Sequence, residues 1–465
     1  MKQIIFIAFI LVASLCKAQN FQKIYHFEDT FAFVNDIYVT DSCYYFQGST
    51  GSGTQRCDVV FGKMDVNGEV IFKTVDVVPN EFNISYASKT QLDTNFRGNF
   101  TVGYTNRLGP SFGNPPNYTE INPMGAFIQS INLDFLSNDS LVFFDYGQFK
   151  ANNFDSTLIG FFTYTNATIN TSNPKFGEVG VLLFKMTVLG DTLWTQRFHD
   201  IGVGQNKPRW LVNDIVIGEN GNISLMMLER NITSVEANRW ARLRFFELNQ
   251  NGNTLSQHTF QDTYYTYSLN TFLPLQDGGK IVVYHDSRIG SNSSGSPVRE
   301  YRAVMSKLNA SHQIVWKDTV DRRFTGGLDI QSNPMRMVLM NDSVVACAHM
   351  HSFATMYDSA VWNSLRVFQF VRIFNKTLDG ETLWNRDYVY WQPEDSLNDP
   401  HYKITDFELT PDGGFIACGS VFHTDSIMAG NIGQFGYVLK TNCLGFLGEP
   451  QAAFSYETGD SLQLS

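Results

Sequence analysis

The sequence predicts an all-β chain, a seven-bladed β-propeller of four-stranded antiparallel blades closed by its N-terminal strand. Three observations predict it: an aromatic-rich and charge-poor composition, a repeated strand–turn–strand phrase, and complementary half-repeats at the two ends. Aromatic residues make up 14% of the 465 residues and charged residues 17%, a balance that suits pleated, half-buried surfaces and opposes disorder.

The clearest repeat is Phe184-Lys185-Met186-Thr187-Val188-Leu189-Gly190-Asp191-Thr192-Leu193-Trp194, which aligns without a gap on Phe374-Asn375-Lys376-Thr377-Leu378-Asp379-Gly380-Glu381-Thr382-Leu383-Trp384. Both read as two apolar strands around a tight turn. With the residue before the turn as anchor, Lys63, Ser130, Lys185, Glu247, Lys307, Asn375 and Lys440 mark seven copies, at intervals of 67, 55, 62, 60, 68 and 65 residues. Gly68, Gly190, Gly252, Gly380 and Gly445 follow their anchors by five residues, where a hairpin turn often needs positive φ. The Ser130 copy reads as degenerate, with a longer turn through Leu136 to Asp139.

Upstream of the anchors lies a second strand pair. Ile404 to Leu409 turns through Pro411-Asp412-Gly413-Gly414 into Phe415 to Gly419, and Leu211 to Ile217 turns at Asn220-Gly221 into Asn222 to Leu225. Four strands per copy, A to D, make a propeller blade. The last copy lacks its D strand after Gly445, whereas Phe21 to Phe27 reads as a D strand with nothing before it. Open sheet edges invite aggregation, so the N-terminal strand is expected to complete the last blade.

Residues 1–18 read as an export signal: Lys2, an apolar run from Ile4 to Ala13, and small residues at Cys16 and Ala18 that place cleavage before Gln19. The run is too short to span a bilayer, which needs roughly 20 residues. Leu15 occupies the position where lipid attachment at Cys16 would require a small residue. Secretion or outer-surface display is therefore expected, with no transmembrane segment. The net charge of −11 contains no basic cluster, which argues against nucleic acid as a partner. Cys43, Cys57, Cys347, Cys418 and Cys443 remain after cleavage, an odd number that cannot pair completely within one chain.

The phrases Gly190 to Trp194, Pro411 to Ser420 and Gly436 to Gly445 resemble the secreted repeat proteins that Bacteroidota-type bacteria export by the type IX system. The resemblance covers about residues 20 to 450. It implies extracellular or cell-surface display, with motifs that are structural rather than catalytic. Gln451 to Tyr456 resembles the opening strand of a PKD-like module, so residues 451–465 read as the truncated start of such a sandwich or as a tail, after a propeller over 19–450.

Function is sought on the face where loops are long. The A–B and C–D turns are short, whereas B–C loops (Gly48 to Gln55, Leu108 to Gly125, Ile289 to Pro297) and D–A connections are long, and these emerge together on the opposite face. Tyr264, Tyr265, Arg322, Arg323 and Trp391, with Phe112 and Tyr118, are candidate contacts there for a protein or glycan. Asp36, Asp214 and Asp406 occupy matching contexts at the start of A strands and would rim the axial channel, binding a basic group or accepting backbone N–H bonds. His349-Met350-His351 places two imidazoles on one strand face, but no carboxylate or thiol stands at a telling spacing, so no metal is expected. No motif for a cofactor or phosphate is present. The favoured expectation is a monomeric extracellular interaction module with no cofactor. The alternative is a secreted glycan hydrolase or lyase with its acids at the axial mouth.

Overall fold

The computed structural model describes residues 20–27, 31–51, 58–76, 93–94, 98–105, 116–132, 141–166, 179–198, 209–231, 240–260, 265–291, 297–325, 335–355, 366–390, 400–423 and 434–447. Residues 1–18, read above as an export signal, and the 451–465 segment lie outside them. No helix among the described residues is long and apolar enough to cross a membrane.

The protein is an all-β β-propeller with four-stranded antiparallel blades. Its strands in chain order are β1 (Phe21–Tyr25), β2 (Phe31–Val39), β3 (Cys43–Gly51), β4 (Asp58–Asp65), β5 (Val70–Asp76), β6 (Asp93–Thr94), β7 (Phe100–Thr105), β8 (Pro116–Ile121) and β9 (Phe127–Asn132). There follow β10 (Leu141–Asn152), β11 (Thr157–Asn166), β12 (Val179–Met186), β13 (Thr192–Phe198), β14 (Arg209–Ile217), β15 (Ile223–Asn231), β16 (Trp240–Leu248) and β17 (Thr254–Phe260). Next are β18 (Tyr265–Pro274), β19 (Lys280–Ser291), β20 (Pro297–Leu308), β21 (Ile314–Thr325), β22 (Arg336–Asn341), β23 (Val344–Thr355), β24 (Arg366–Thr377) and β25 (Thr382–Tyr388). The chain closes with β26 (Pro400–Leu409), β27 (Phe415–His423) and β28 (Gln434–Thr441).

Five sheets run in simple order, β6 to β9, β10 to β13, β14 to β17, β18 to β21 and β22 to β25. The sixth has eight strands in the order β26-β27-β28-β2-β3-β4-β5, with β1 also paired to β28. This corrects the expectation of seven separate blades. Six sheets form because Phe31 of β2 bridges Gln434 of β28 in parallel and joins the first and last strand sets. β1 runs antiparallel to β28 from Phe21↔Lys440 to Tyr25↔Gly436, so the N-terminal strand occupies the edge the last copy leaves bare.

The turn glycines have a second reason to be glycine beyond their positive φ, which is 81° at Gly252 and 94° at Gly380. Each outermost strand lays a side chain on the C–D turn of the next strand set. Phe72 of β5 covers Gly125, and Gln129 of β9 donates to the Val188 carbonyl at 2.9 Å. Trp194 of β13 donates to the Gln250 carbonyl at 3.1 Å, and a Cβ at Gly252 would come within 2.9 Å of its indole. His258 of β17 stacks on His312, with ring centroids 4.3 Å apart. Trp316 of β21 donates to the Leu378 carbonyl at 2.8 Å, and Tyr388 of β25 donates to the Gly445 carbonyl. Tyr25 of β1 then donates to the Gly68 carbonyl at 2.7 Å and returns to the first set. The series closes a ring.

The second copy is not degenerate. Its C strand is β8, its anchor is Glu120 rather than Ser130, and Gly125 takes the five-residue position with φ 83°. Asn122 caps this turn through Met124 and Ala126 N–H groups at 3.0 and 2.9 Å. The segment Leu108 to Gly125 is therefore not one loop. The expected turn through Leu136 to Asp139 falls outside the described residues.

Two of the anchor lysines also acquire a reason. Lys440 reaches Asp412 in the A–B turn of its own sheet at 2.6 Å, and Lys185 reaches Asp155 in the same way. Burial raises the Asp412 carboxyl, but the bonds from Lys440, Thr410 and the Gly414 N–H outweigh it and hold the group below the usual range. Cys43, Cys347, Cys418 and Cys443 are free thiols, the first three buried. Burial pushes the Cys347 and Cys418 thiols up, which keeps them protonated and inert.

Candidate functional site

Asp36, Asp214 and Asp406 sit on inner strands β2, β14 and β26, each just past a register shift (Val34/Asp36, Val212/Asp214, Ile404/Asp406). A bulge leaves backbone groups outside the ladder, and a carboxylate beside it can accept them. Asp36 Oδ1 accepts the Ile37 N–H at 2.8 Å, and Asp214 Oδ1 accepts the Ile215 N–H at 2.9 Å. The second oxygens reach the next inner strand. Asp214 Oδ2 accepts Thr271 Oγ1 at 2.6 Å and the Phe272 N–H at 3.3 Å, while Asp406 Oδ2 accepts the Ile37 N–H at 3.1 Å. Asp214 and Asp406 thus staple neighbouring inner strands, and all three acids lie at bulges inside strands rather than at loop-to-strand turns.

Cations share this region. Arg336 of β22 donates from Nε to the Thr405 carbonyl at 2.5 Å, and Thr405 Oγ1 donates to the Val34 carbonyl at 2.8 Å. The chain of contacts thus runs from β22 through β26 to β2. Lys403 of β26 lies 6.0 Å from the Phe33 ring. Burial first, and the Arg336 charge second, push the Lys403 ammonium down to about 8. Its folded value lies below its unfolded value, so between about pH 8 and pH 10.5 the unfolded chain binds more protons and stability rises with pH. Lys403→Met should flatten that rise and stabilise the protein at pH 7 by up to about 3 kcal/mol. Denaturant titrations of both proteins from pH 7 to 10.5 test this; parallel curves for variant and parent would refute it.

Among the described residues the remaining candidates are dispersed. Tyr265 opens β18 opposite Ser287, and Arg322 and Arg323 lie in β21 opposite Arg302 and Tyr301. All three belong to strands, correcting their assignment to loops, because the ladders run further than the turn-forming residues indicated. β18 and β21 are the first and fourth strands of one sheet, so Tyr265 is separated from the two arginines by three strand spacings, about 14 Å. Tyr118 lies in β8, while Tyr264, Trp391 and Phe112 fall outside the described residues.

The ladder lengths show where the sheets protrude. β22 pairs with β23 only as far as Arg336↔Ala348, but the β23–β24 ladder continues to Thr355↔Arg366. Among the described residues β18 pairs with β19 as far as Tyr265↔Ser287, whereas β19 and β20 stay paired to Ser291↔Pro297. These B–C hairpins overhang the inner strands on the face opposite the tight turns. At the root of the β23 overhang, His349 and His351 meet Asp321, a residue of β21 in the preceding sheet; their ligand atoms all lie within 4.8 Å of one another. Sequence reasoning found the histidines and missed the aspartate, since no local spacing connects residue 321 to 349. The other close histidine pair, His258 and His312, has Lys280 Nζ 3.1 Å from His312 Nε2. Burial first, and Lys280 second, push His312 down to about 4, so this pair stays neutral and stacked.

No known protein family matches the chain in sequence, and no curated protein does either. Solved structures resemble it distantly. A protein of unknown function from Dyadobacter fermentans has TM-score 0.42 at 9% identity, covering 76% of this chain and 93% of that one. A Synechocystis apocarotenoid oxygenase has TM-score 0.42 at 10% identity, covering 92% and 95%. An α-L-arabinofuranosidase from Fusarium graminearum has TM-score 0.41 at 8% identity, covering 90% and 98%.

Proposed function

We propose that this chain is an extracellular binding module that holds a protein or glycan on the face where the B–C hairpins overhang. The observation that carries this reading is the asymmetry of the two faces. One consists of tight turns such as Asn249 to Asn253, closed by short-range backbone bonds; the other carries the β19–β20 and β23–β24 hairpins beyond the inner strands. An overhanging hairpin offers side chains and uncovered backbone edges to a partner, whereas a glycine turn offers little of either. The apolar run from Ile4 to Ala13, read as an export leader, supports an extracellular location.

The test is a glycan and surface-protein binding screen with hydrolysis products monitored, repeated on a variant in which Asn-Gly replaces residues 353–368. That cut joins the paired residues Ser352 and Gln369 through a two-residue turn and leaves the lower ladder intact. Binding weakened at least about tenfold (about 1.4 kcal/mol), with an unchanged far-UV spectrum, is the expected result. Unchanged affinity would refute the assignment of this face.

A hydrolase reading has one observation in its favour: Asp36 and Asp406 converge on the single Ile37 N–H, at 2.8 and 3.1 Å. Glycoside hydrolysis uses carboxyl pairs about 5 to 9.5 Å apart. Product formation abolished by Asp36→Asn or Asp406→Asn would replace the binding reading with this one.

A further inference from the structure

Outside the axial strands, two neighbouring sheets bring three metal-ligating side chains to one point. We infer that Asp321, His349 and His351 bind a single divalent transition-metal cation of the zinc class, tying the outermost strand of one sheet to the overhanging hairpin of the next. The geometry suits it. His351 Nδ1 stands 3.0 Å from Asp321 Oδ1, and the three ligand atoms lie within 4.8 Å of one another. A tetrahedral ion with bonds of about 2.0 to 2.2 Å needs ligand atoms about 3.4 Å apart, so closure requires small side-chain rotations only.

The imidazoles are oriented for the task. His349 Nδ1 lies 3.1 Å from the Met350 carbonyl, which can only accept; the neutral Nδ1–H tautomer makes this bond and leaves the Nε2 lone pair for a metal. A backbone carbonyl on the far nitrogen is a common way to hold a metal-ligating histidine. The His349 and His351 rings are nearly perpendicular, with centroids 5.9 Å apart, as two ligands approaching one ion from different directions would be.

The alternative is a plain ion pair between Asp321 and a protonated His351. It employs two of the three side chains that converge there. Nitrogen and oxygen donors together suit zinc, cobalt or nickel, whereas calcium and magnesium prefer oxygen alone. Arg372, across the ladder from His349, is bidentate to Asp387 at 2.6 and 2.8 Å, so its charge is matched within its own sheet. Three protein ligands leave a fourth position for water. The His351 side chain, 18% exposed, marks the side from which water enters.

The test uses the full exported chain, stripped with a chelator and titrated with zinc chloride by calorimetry, with cobalt(II) absorption as an independent readout. One zinc per chain and intense tetrahedral cobalt bands are expected. Asp321→Asn, which keeps the side-chain shape, should weaken zinc at least about 30-fold, and His351→Gln should abolish the cobalt bands. His258→Gln, in the other histidine pair, should leave zinc binding unchanged. No stoichiometric zinc on the parent chain, or equal binding by Asp321→Asn and parent, would overturn the inference in favour of the ion pair.

Discussion

A chain beginning at Asp29, without β1, should be unfolded or aggregated under conditions where the parent is folded and does not aggregate. Phe21, Tyr25 and Phe27 are each exposed by less than a tenth and pack into the cluster formed by Val34, Phe46, Val60, Ile416 and Val438. Losing one buried aromatic side chain typically costs about 3 to 5 kcal/mol, and a whole domain holds only about 5 to 15. The deletion also bares β28 from Gly436 to Lys440, an apolar strand edge ready to pair with another chain. Tyr25→Phe supplies the graded version. It removes only the 2.7 Å bond to the Gly68 carbonyl and should cost about 1 kcal/mol. Size-exclusion chromatography with thermal melts decides the matter: an unchanged melting temperature and monomeric elution of the deletion would mean that β1 does not close the ring.

The second large effect is expected at Gly419. It faces the bulge in β26, and a Cβ built there would overlap the Lys403 carbonyl oxygen; Gly48 stands in the same relation to Phe33 in β2. The obstacle is backbone, held in place by the bulge and by the staple from Thr405 to Val34, so it cannot move aside as a side chain can. Gly419→Ala should cost about 3 kcal/mol or more, at the upper end for an overpacked core. Gly98→Ala is the matched control. Its φ is 73°, but nothing lies within 4 Å of its Cβ position, so only the left-handed backbone penalty of about 1 kcal/mol applies. Equal losses for the two variants in denaturant unfolding would show that the bulge relaxes.

The architecture was legible because it repeats locally. Alternating apolar strands, five-residue spacing from anchor to turn glycine, and the missing last strand matched by the orphan at Phe21 are relations within one stretch or between copies of one pattern. Even the misplaced second anchor was recoverable, since Glu120 and Gly125 keep the spacing that Ser130 breaks. The site was not legible in the same way. Phe31 and Gln434 fuse the first and last strand sets, Asp406 reaches the Ile37 N–H, and Asp321 meets His349 and His351, all across sheet boundaries. A repeat pattern states which strands exist and which way their side chains alternate. It carries no information about which side chains of different sheets face each other, because that depends on the twist and closure of the ring. The sequence by itself determined the class, the turns and the closing strand; the packing of one sheet on the next decided where its carboxylates and imidazoles converge.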